Sequence, residues 1–146
     1  MSRVYLIAAD KPLPLCDFQE MRTKTVTIPG GKQFRIGAPA GFQVEEHSYY
    51  RYAVDELNLE MKPYQYEFHL EADGSDLLHL KEYLAEHFSV GEEVELWNLW
   101  VGVDRDERMY RYHGKLSDFD MESLEQFLKS PLENRTFGQI KMTITI

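Results

Sequence analysis

The sequence is poor in cysteine: Cys16 is the only one among 146 residues, so no disulfide can form within the chain. This usage is typical of proteins from a reducing compartment. The apolar run from Val4 to Ala9 is too short for the core of a signal peptide or for a membrane span. We therefore expect a soluble, cytoplasmic protein.

Basic side chains are also scarce, since 16 Lys and Arg stand against 25 Asp and Glu and give a net charge of −9. Residues 1–62 hold eight basic and eight acidic groups, so the whole excess lies in residues 63–146. Binding to nucleic acid needs cations that neutralise phosphates, and this balance argues against it. It suits a basic protein partner that is attracted over long range, or an acidic surface that only keeps the protein soluble.

Motifs for several common chemistries are missing. Pro29-Gly30-Gly31-Lys32 lacks the spacing and the following helix of a phosphate-binding loop. The turn at 104–107 lacks the glycine and the terminal glutamate of a calcium loop. Cys16 has only Lys11 near it in sequence to activate its thiol, so we expect a free cysteine at the edge of the core. We therefore predict no catalytic set, no metal and no cofactor.

Residues 64–146 contain six elements in a clear order, because periods of two and of about 3.6 residues alternate along this stretch. A hydrophobic content of 43% and the length of 146 residues are enough for one domain with a full core. The predicted strands are Tyr64–Leu70, 94–101, 108–113 and 139–146. The first predicted helix follows Tyr64–Leu70, is capped by Ser75 and has the apolar stripe Leu77, Leu80, Leu84 and Phe88. The second follows 108–113, is capped by Asp120 and has the apolar stripe Met121, Leu124, Phe127 and Leu128.

This βαββαβ order predicts an α+β fold of the ferredoxin-like kind, with both helices on one face of an antiparallel sheet. In spatial order we expect the strand at 139–146, then those at 64–70, 108–113 and 94–101. The expected core-facing residues are Tyr66, Phe68, Leu70, Val94, Leu96, Ile140, Met142 and Ile144. The expected residues of the open face are Gln65, Glu67, His69, Lys141, Thr143 and Thr145, with Tyr110, Tyr112 and Trp97 as further candidates.

Residues 1–62 read as an irregular, β-rich extension that packs on this module within a single domain. Its first strand, Val4–Ala9, is expected to pair beside 139–146, which would otherwise be an exposed edge. Strands at 23–28 and 33–36 flank a proline–glycine turn of type II and predict a hairpin. A short strand at 42–47 is expected to follow, whereas 49–57 fits a strand or a helix, and segments between 23 and 52 are expected to cover part of the open face.

The residues that we predict to bind a ligand or a partner are aromatic, histidine and glutamate side chains of the open face and of the acidic module. They are His69, Trp97, Tyr110, Tyr112, His113, Glu92, Glu93 and Glu95. Aromatic side chains on a sheet stack on flat ligands or form hot spots for proteins, although they also pair inside cores. A metal or acid–base role for His69 and His113, with Glu67 nearby, is an alternative to a surface role.

Two classes of function follow from these observations. The first is a binding protein without enzymatic activity, acting on a basic partner or forming a homodimer. An inhibitor or immunity-type protein that masks a basic enzyme is one form of it. The second is a small enzyme or ligand-binding domain with a pocket between the extension and the sheet, lined by His69, His113, Tyr110 and Tyr112. The fold class alone favours neither, because one fold hosts many activities.

Overall fold

A computed structural model describes residues 2–102, 108–133 and 135–146. Within these ranges the chain is a mixed α+β structure built on a seven-stranded, mostly antiparallel sheet. The strands are β1 (Ser2–Ala9), β2 (Cys16–Asp17), β3 (Glu20–Thr27), β4 (Gln33–Ala40), β5 (Gln43–Glu46), β6 (Tyr64–His69), β7 (Glu93–Val101), β8 (Met109–Lys115), β9 (Leu132–Glu133), β10 (Thr136–Phe137) and β11 (Gln139–Thr145). The helices are α1 (Arg51–Asp55), α2 (Gly74–His87) and α3 (Met121–Leu128), with a 3-10 turn at Leu116–Asp118.

The large sheet has the order β2-β5-β6-β1-β7-β11-β8. Its central strand is β1, which pairs antiparallel with β6 on one side and with β7 on the other. Leu6, for example, lies between Glu67 and Trp97. The strand β11 is antiparallel to β7 and parallel to β8, and α3 lies in the connection that a parallel pair requires.

One face of the sheet packs against α2 and α3 and forms the main core. The helices contribute Leu80, Tyr83, Leu84, Leu124 and Phe127, which follow the spacing of three and four residues expected of a buried stripe. All the predicted core-facing strand residues lie in this cluster, with Tyr66 half-buried at its margin, so that prediction is confirmed.

Helices α2 and α3 begin at aspartate caps. Asp120 caps α3 as predicted, and its side chain accepts a hydrogen bond from the backbone N of Ser123 at 2.9 Å. In α2 the predicted cap was wrong, because Asp73 rather than Ser75 accepts from the backbone N of Asp76 at 2.8 Å. The chain is extended at Asp73 and already helical at Ser75, and only an extended residue can cap in this way.

The second face of the sheet is covered at its centre by residues 50–61. Val54 of α1 packs there with side chains of β1 and β7 that point away from the main core. These strand residues are Val4, Leu6, Ala8, Trp97, Leu99 and Val101. The ambiguous stretch 49–57 is therefore helical at Arg51–Asp55. The extension does cover part of this face, but with residues 50–61 and not with the predicted segments between 23 and 52, which overlap them only at 50–52.

The strand order differs from the predicted one, so the ferredoxin-like arrangement is not confirmed and the sheet is larger than in that fold. The predicted pairing of 94–101 with 108–113 was wrong, because β11 lies between β7 and β8. β1 does not pair beside β11 either, since it lies between β6 and β7. Of the predicted polar turn at 102–107, residues 103–107 lie outside the described part of the chain.

The physical reason for this order is that β1 and β11 are buried on both faces. In β11 the neighbouring side chains of Met142, Thr143 and Ile144 are all buried, although they alternate between the faces. Such a strand is stable between two neighbouring strands, whereas the more polar β8 is stable at the edge of the sheet. The parallel register with β11 also turns Tyr110 and Tyr112 toward the helices and not toward the predicted open face.

None of the helices in the described part of the chain is long and apolar enough to cross a lipid bilayer. The longest of them, α2, has 14 residues. A span of the hydrocarbon layer takes about 20 predominantly apolar residues.

We predict that Phe127→Ala lowers the free energy of unfolding by about 3–5 kcal/mol, as removal of a buried aromatic ring typically does. Phe127 is fully buried and its ring stacks on that of Phe68, with 5.8 Å between the centroids. Urea denaturation measures the loss. The control is Leu78→Ala in α2, where the side chain is 55% exposed and the change should stay within about 0.5 kcal/mol. Equal effects of the two substitutions would contradict the assignment of the core.

Candidate functional site

Residues 20–40 form a two-stranded ribbon that is separate from the large sheet, and we call it the β-arm. Strands β3 and β4 pair only with each other among the described residues, from Glu20 opposite Ala40 to Thr27 opposite Gln33. The predicted hairpin is thus confirmed. Its turn is closed by a hydrogen bond from the backbone N of Gly31 to the carbonyl O of Ile28 at 3.1 Å.

Where the β-arm joins the body, the two ends of the arm are in close backbone contact. At its end Gly41 has φ +145°, and a Cβ atom built there would lie 2.7 Å from the carbonyl O of Phe18. The backbone N of Phe18 also donates to the carbonyl O of Phe42 at 2.8 Å. Glycine is therefore required where the arm rejoins the body, because a side chain would collide with the backbone of Phe18 and Gln19.

One face of the β-arm is apolar and exposed. Alternation along the paired strands places Val26, Ile28, Phe34 and Ile36 on this face toward the turn, with exposed fractions of 37–51%, and Arg22 and Lys24 on the same face toward the base. Of residues 20–39, only Arg22 is not exposed. A two-stranded ribbon is marginally stable in water unless another layer covers its apolar face. The exposed face therefore has the character of a contact surface.

The base of the β-arm is fixed to the N-terminus of α2 by charged groups. Arg22 donates to the carboxylate of Asp76 at 2.8 Å and to that of Asp73 at 2.7 Å, while Lys24 donates to Glu71 at 2.6 Å. Asp76 is fully buried and also accepts from the backbone N of Glu71 at 2.7 Å. The hydrogen bond to Asp76 raises the pKa of Arg22, and those from Lys24 and then Arg22 lower the pKa of Glu71.

The charge of the β-arm is opposite to that of the rest of the chain. Its 21 residues hold four basic side chains and one acidic one, a net charge of +3. The remaining residues, which we call the body, hold twelve basic and twenty-four acidic groups, a net charge of −12. The acidic excess was correctly assigned to residues 63–146 from the sequence. The basic segment inside the balanced N-terminal half was missed.

An apolar groove lies on the body, with a volume of about 770 Å³. Ala85, Val90, Leu116 and Ile146 provide its apolar walls, and Val90 is 94% exposed. The groove is therefore a second place where apolar surface faces the solvent.

The predicted partner-binding residues Trp97 and Glu95 are buried. The carboxylate of Glu95 accepts hydrogen bonds from the backbone N of Lys62 at 2.9 Å and from Nε1 of Trp97 at 3.3 Å. It also forms an ion pair with Lys141 at 3.2 Å. These groups join the segment 50–61 to the sheet, so they stabilise the fold and are not available to a partner in this structure.

Glu92 and Glu93 lie at the start of β7 and are more accessible. The carboxylate of Glu92 accepts from Lys11 at 2.9 Å and from the backbone N of Ser89 at 2.7 Å. The hydrogen bond from Lys11, followed by that from Ser89, lowers the pKa of Glu92. Glu93 is exposed. Of the three glutamates expected to attract a basic partner, Glu93 alone is exposed and makes no hydrogen bond through its carboxylate among the described residues.

The histidine and tyrosine residues predicted to line one pocket are not brought together. His69 is in β6 and His113 is in β8, which are the third and the seventh strands of the sheet. Four strand spacings of about 4.8 Å separate them, roughly 19 Å. Tyr112 and His113 line a small cleft of about 260 Å³ at the far edge, and the hydroxyl O of Tyr110 accepts from Arg108 at 3.1 Å.

His69 instead belongs to a cluster with Glu45, Glu67 and His47, which we call the Glu–His cluster. Glu45 of β5 lies directly opposite Glu67 of β6. His47 Nδ1 lies 3.0 Å from the carboxylate of Glu67, and His69 Nε2 lies 2.8 Å from that of Glu45. The sequence signal was a repeated Glu-x-His at 45–47 and 67–69, which becomes visible only when the two strands are known to pair.

Cys16 is half-buried, and burial raises the pKa of its thiol. A nucleophilic cysteine needs the opposite shift. The structure therefore gives no support to a catalytic role for this residue.

The chain matches no protein-family model, and no curated protein or solved structure matches it. The strongest pointers to function are therefore physical features of the molecule itself. They are the exposed apolar face of the β-arm, the opposite charges of arm and body, and the Glu–His cluster.

We predict that Asp76→Asn lowers the free energy of unfolding by about 1.5–3 kcal/mol, because hydrogen bonds to charged groups contribute about this much. The substitution removes the buried negative charge opposite Arg22. Urea denaturation measures the change. The matched control is Glu82→Gln on the exposed side of the same helix, with an expected change within about 0.5 kcal/mol. An Asp76→Asn variant as stable as wild type would contradict the anchoring role of this carboxylate.

We also predict that the anchor of the β-arm weakens in acid. The pKa of Glu71 lies below its ordinary value of 4.5, so its ion pairs stabilise the folded state above that pH. This contribution is lost as the pH falls through the lowered pKa. The free energy of unfolding of wild type should therefore exceed that of Glu71→Gln at pH 7 and approach it in strong acid. Glu60→Gln at an exposed site is the control, and a constant difference across the pH range would contradict the prediction.

Proposed function

We propose that this chain is a binding protein that assembles through its β-arm, and that the partner covering the arm's apolar face is a second copy of the chain. The observation that carries the proposal is the arm itself. It is a two-stranded ribbon with an exposed apolar face and a positive charge, attached to an acidic body.

Burial of the apolar face of the β-arm supplies the favourable free energy of association. Full burial of a Val, Ile or Phe side chain contributes about 1.5–3 kcal/mol relative to exposure. The arm presents four such side chains on one face, namely Val26, Ile28, Phe34 and Ile36. Association costs several kcal/mol of lost freedom, so a cluster of this size is needed for a stable contact, whereas scattered single residues are not enough.

The charges favour a second copy over other occupants. Two net-positive arms repel each other, whereas an arm and an acidic body attract. Since Arg22 and Lys24 are paired within their own chain, Lys32 and Arg35 provide the attraction to a partner's body. The chain already contains such a contact, since Arg22 and Lys24 pair with Glu71, Asp73 and Asp76 at the base of the arm. A reciprocal exchange, in which each arm lies on the partner's body, gives a closed two-fold dimer.

The groove lined by Val90 and Ile146 is the acceptor that fits the arm best. It is apolar where the arm is apolar, and it is large enough for several side chains. Its rim includes Lys81 and Lys115, so the contact there is apolar and the ionic attraction comes from the acidic remainder of the body.

Sedimentation velocity from micromolar to near-millimolar concentration tests this proposal. We predict a monomer–dimer equilibrium for wild type that shifts toward monomer at high salt, because screening weakens the attraction between arm and body. The double variant Phe34→Ser with Ile36→Ser should weaken the dimer by at least about tenfold, and Val90→Asp in the groove should act in the same direction.

The matched control is Thr23→Ser with Thr27→Ser on the opposite face of the same strands, which should dimerise as wild type. Circular dichroism must show that every variant keeps its fold. A monomer at all concentrations, or a dimer that the Phe34 and Ile36 substitutions leave unchanged, would refute the arm as a self-association surface. A monomeric wild type that binds a different acidic or basic protein would replace the second copy with that partner.

A further inference from the structure

We propose that Glu45, Glu67 and His69 form a binding site for a divalent transition-metal ion of the Zn²⁺ kind. The proposal is independent of self-association, because it concerns a different set of side chains. These residues lie on the face of β5 and β6 that points away from α2 and α3, next to the point where the β-arm rejoins the sheet.

The backbone places the three side chains together. Glu45 and Glu67 are directly opposite in the antiparallel pair, and His69 follows Glu67 by two residues and so lies on the same face. One carboxylate O from each glutamate and one ring N of His69 lie within 4.8 Å of one another. Side chains of Glu45 and His69 are 43% and 46% exposed, so they can move the short distance that closes a coordination shell.

Two carboxylates in this arrangement need a positive charge. Like charges directly opposite in a sheet destabilise the pair. The Glu67 side chain is also only 7% exposed, and burial of an unpaired charge is costly. Among the described residues, the two carboxylates have only the histidines His47 and His69 as hydrogen-bond or ion-pair partners. A bound dication would neutralise both carboxylates at once.

The donor set selects the metal. One imidazole nitrogen with two carboxylate oxygens suits Zn²⁺ and neighbouring first-row ions, whereas Ca²⁺ and Mg²⁺ prefer oxygen donors alone. Three protein ligands leave at least one position for water or a ligand atom. The site therefore has the chemistry of an open metal centre at the surface of the sheet.

His47 acts as a positioning residue in this proposal. Its side chain is fully buried, its Nδ1 lies 3.0 Å from Oε2 of Glu67, and no hydrogen-bond partner is found for its Nε2 among the described residues. Hydrogen bonds from such neighbours fix the orientation of metal ligands, and their loss typically lowers metal affinity by about 10–100-fold. His47 thus holds the Glu67 carboxylate in place for the ion.

The experiment is metal titration of the full chain after treatment with a chelator, using Zn²⁺ and Co²⁺ as probes. We expect one Zn²⁺ per chain by calorimetry and a visible absorption band for bound Co²⁺. Glu45→Gln and His69→Gln should each weaken Zn²⁺ binding by at least about tenfold. Both side chains are partly exposed, so the variants should fold, and thermal denaturation without metal checks this.

His113→Gln is the matched control, because this histidine lies at the far edge of the sheet and should leave binding unchanged. Zn²⁺ should also raise the Tm of wild type and not that of Glu45→Gln, since a ligand that binds the folded state stabilises it. Failure to bind Zn²⁺ and Co²⁺ at micromolar concentrations would overturn the proposal. Stoichiometric binding that Glu45→Gln and His69→Gln do not weaken would overturn it equally.

Discussion

The placement of β1 at the centre of the sheet is the constraint on which the rest of the structure depends. Both edges of this strand are paired, and both of its faces are buried, with Leu6 toward the covering segment and Ile7 toward the helices. A strand of this kind requires a layer on each side. Helices α2 and α3 supply one layer, and residues 50–61 supply the other.

The features that do not serve the packing of the core lie at one end of the sheet. The β-arm lies between β2 and β5 in sequence, and these are the two outermost strands at one end of the sheet. The Glu–His cluster lies on β5 and β6 at the same end. An apolar contact surface and a group of polar side chains therefore share one region, while the opposite end of the sheet consists of the parallel pair β11 and β8.

Local patterns predicted most elements of the fold, because they depend on neighbours in sequence. The alternation in Tyr64–Leu70 and the stripe ending at Phe88 each correspond to an observed element. Strand order could not be predicted in this way, since β1 competes for the same edges as β11 and only burial on both faces decides between them. His69 and Glu67 were considered together from the sequence, but with His113, and the contribution of Glu45 was missed because it meets Glu67 only through the pairing of β5 with β6.

The central position of β1 also has a consequence for the synthesis of the protein. Leu6 leaves the ribosome long before Trp97, which is its partner in β7. At about 5–20 residues per second, the delay is on the order of ten seconds. β6 emerges earlier and can pair with one edge of β1, but the other edge of this strongly apolar strand stays unpaired until β7 follows. Nascent chains of this protein are therefore expected to fold late in translation, when β7 has emerged.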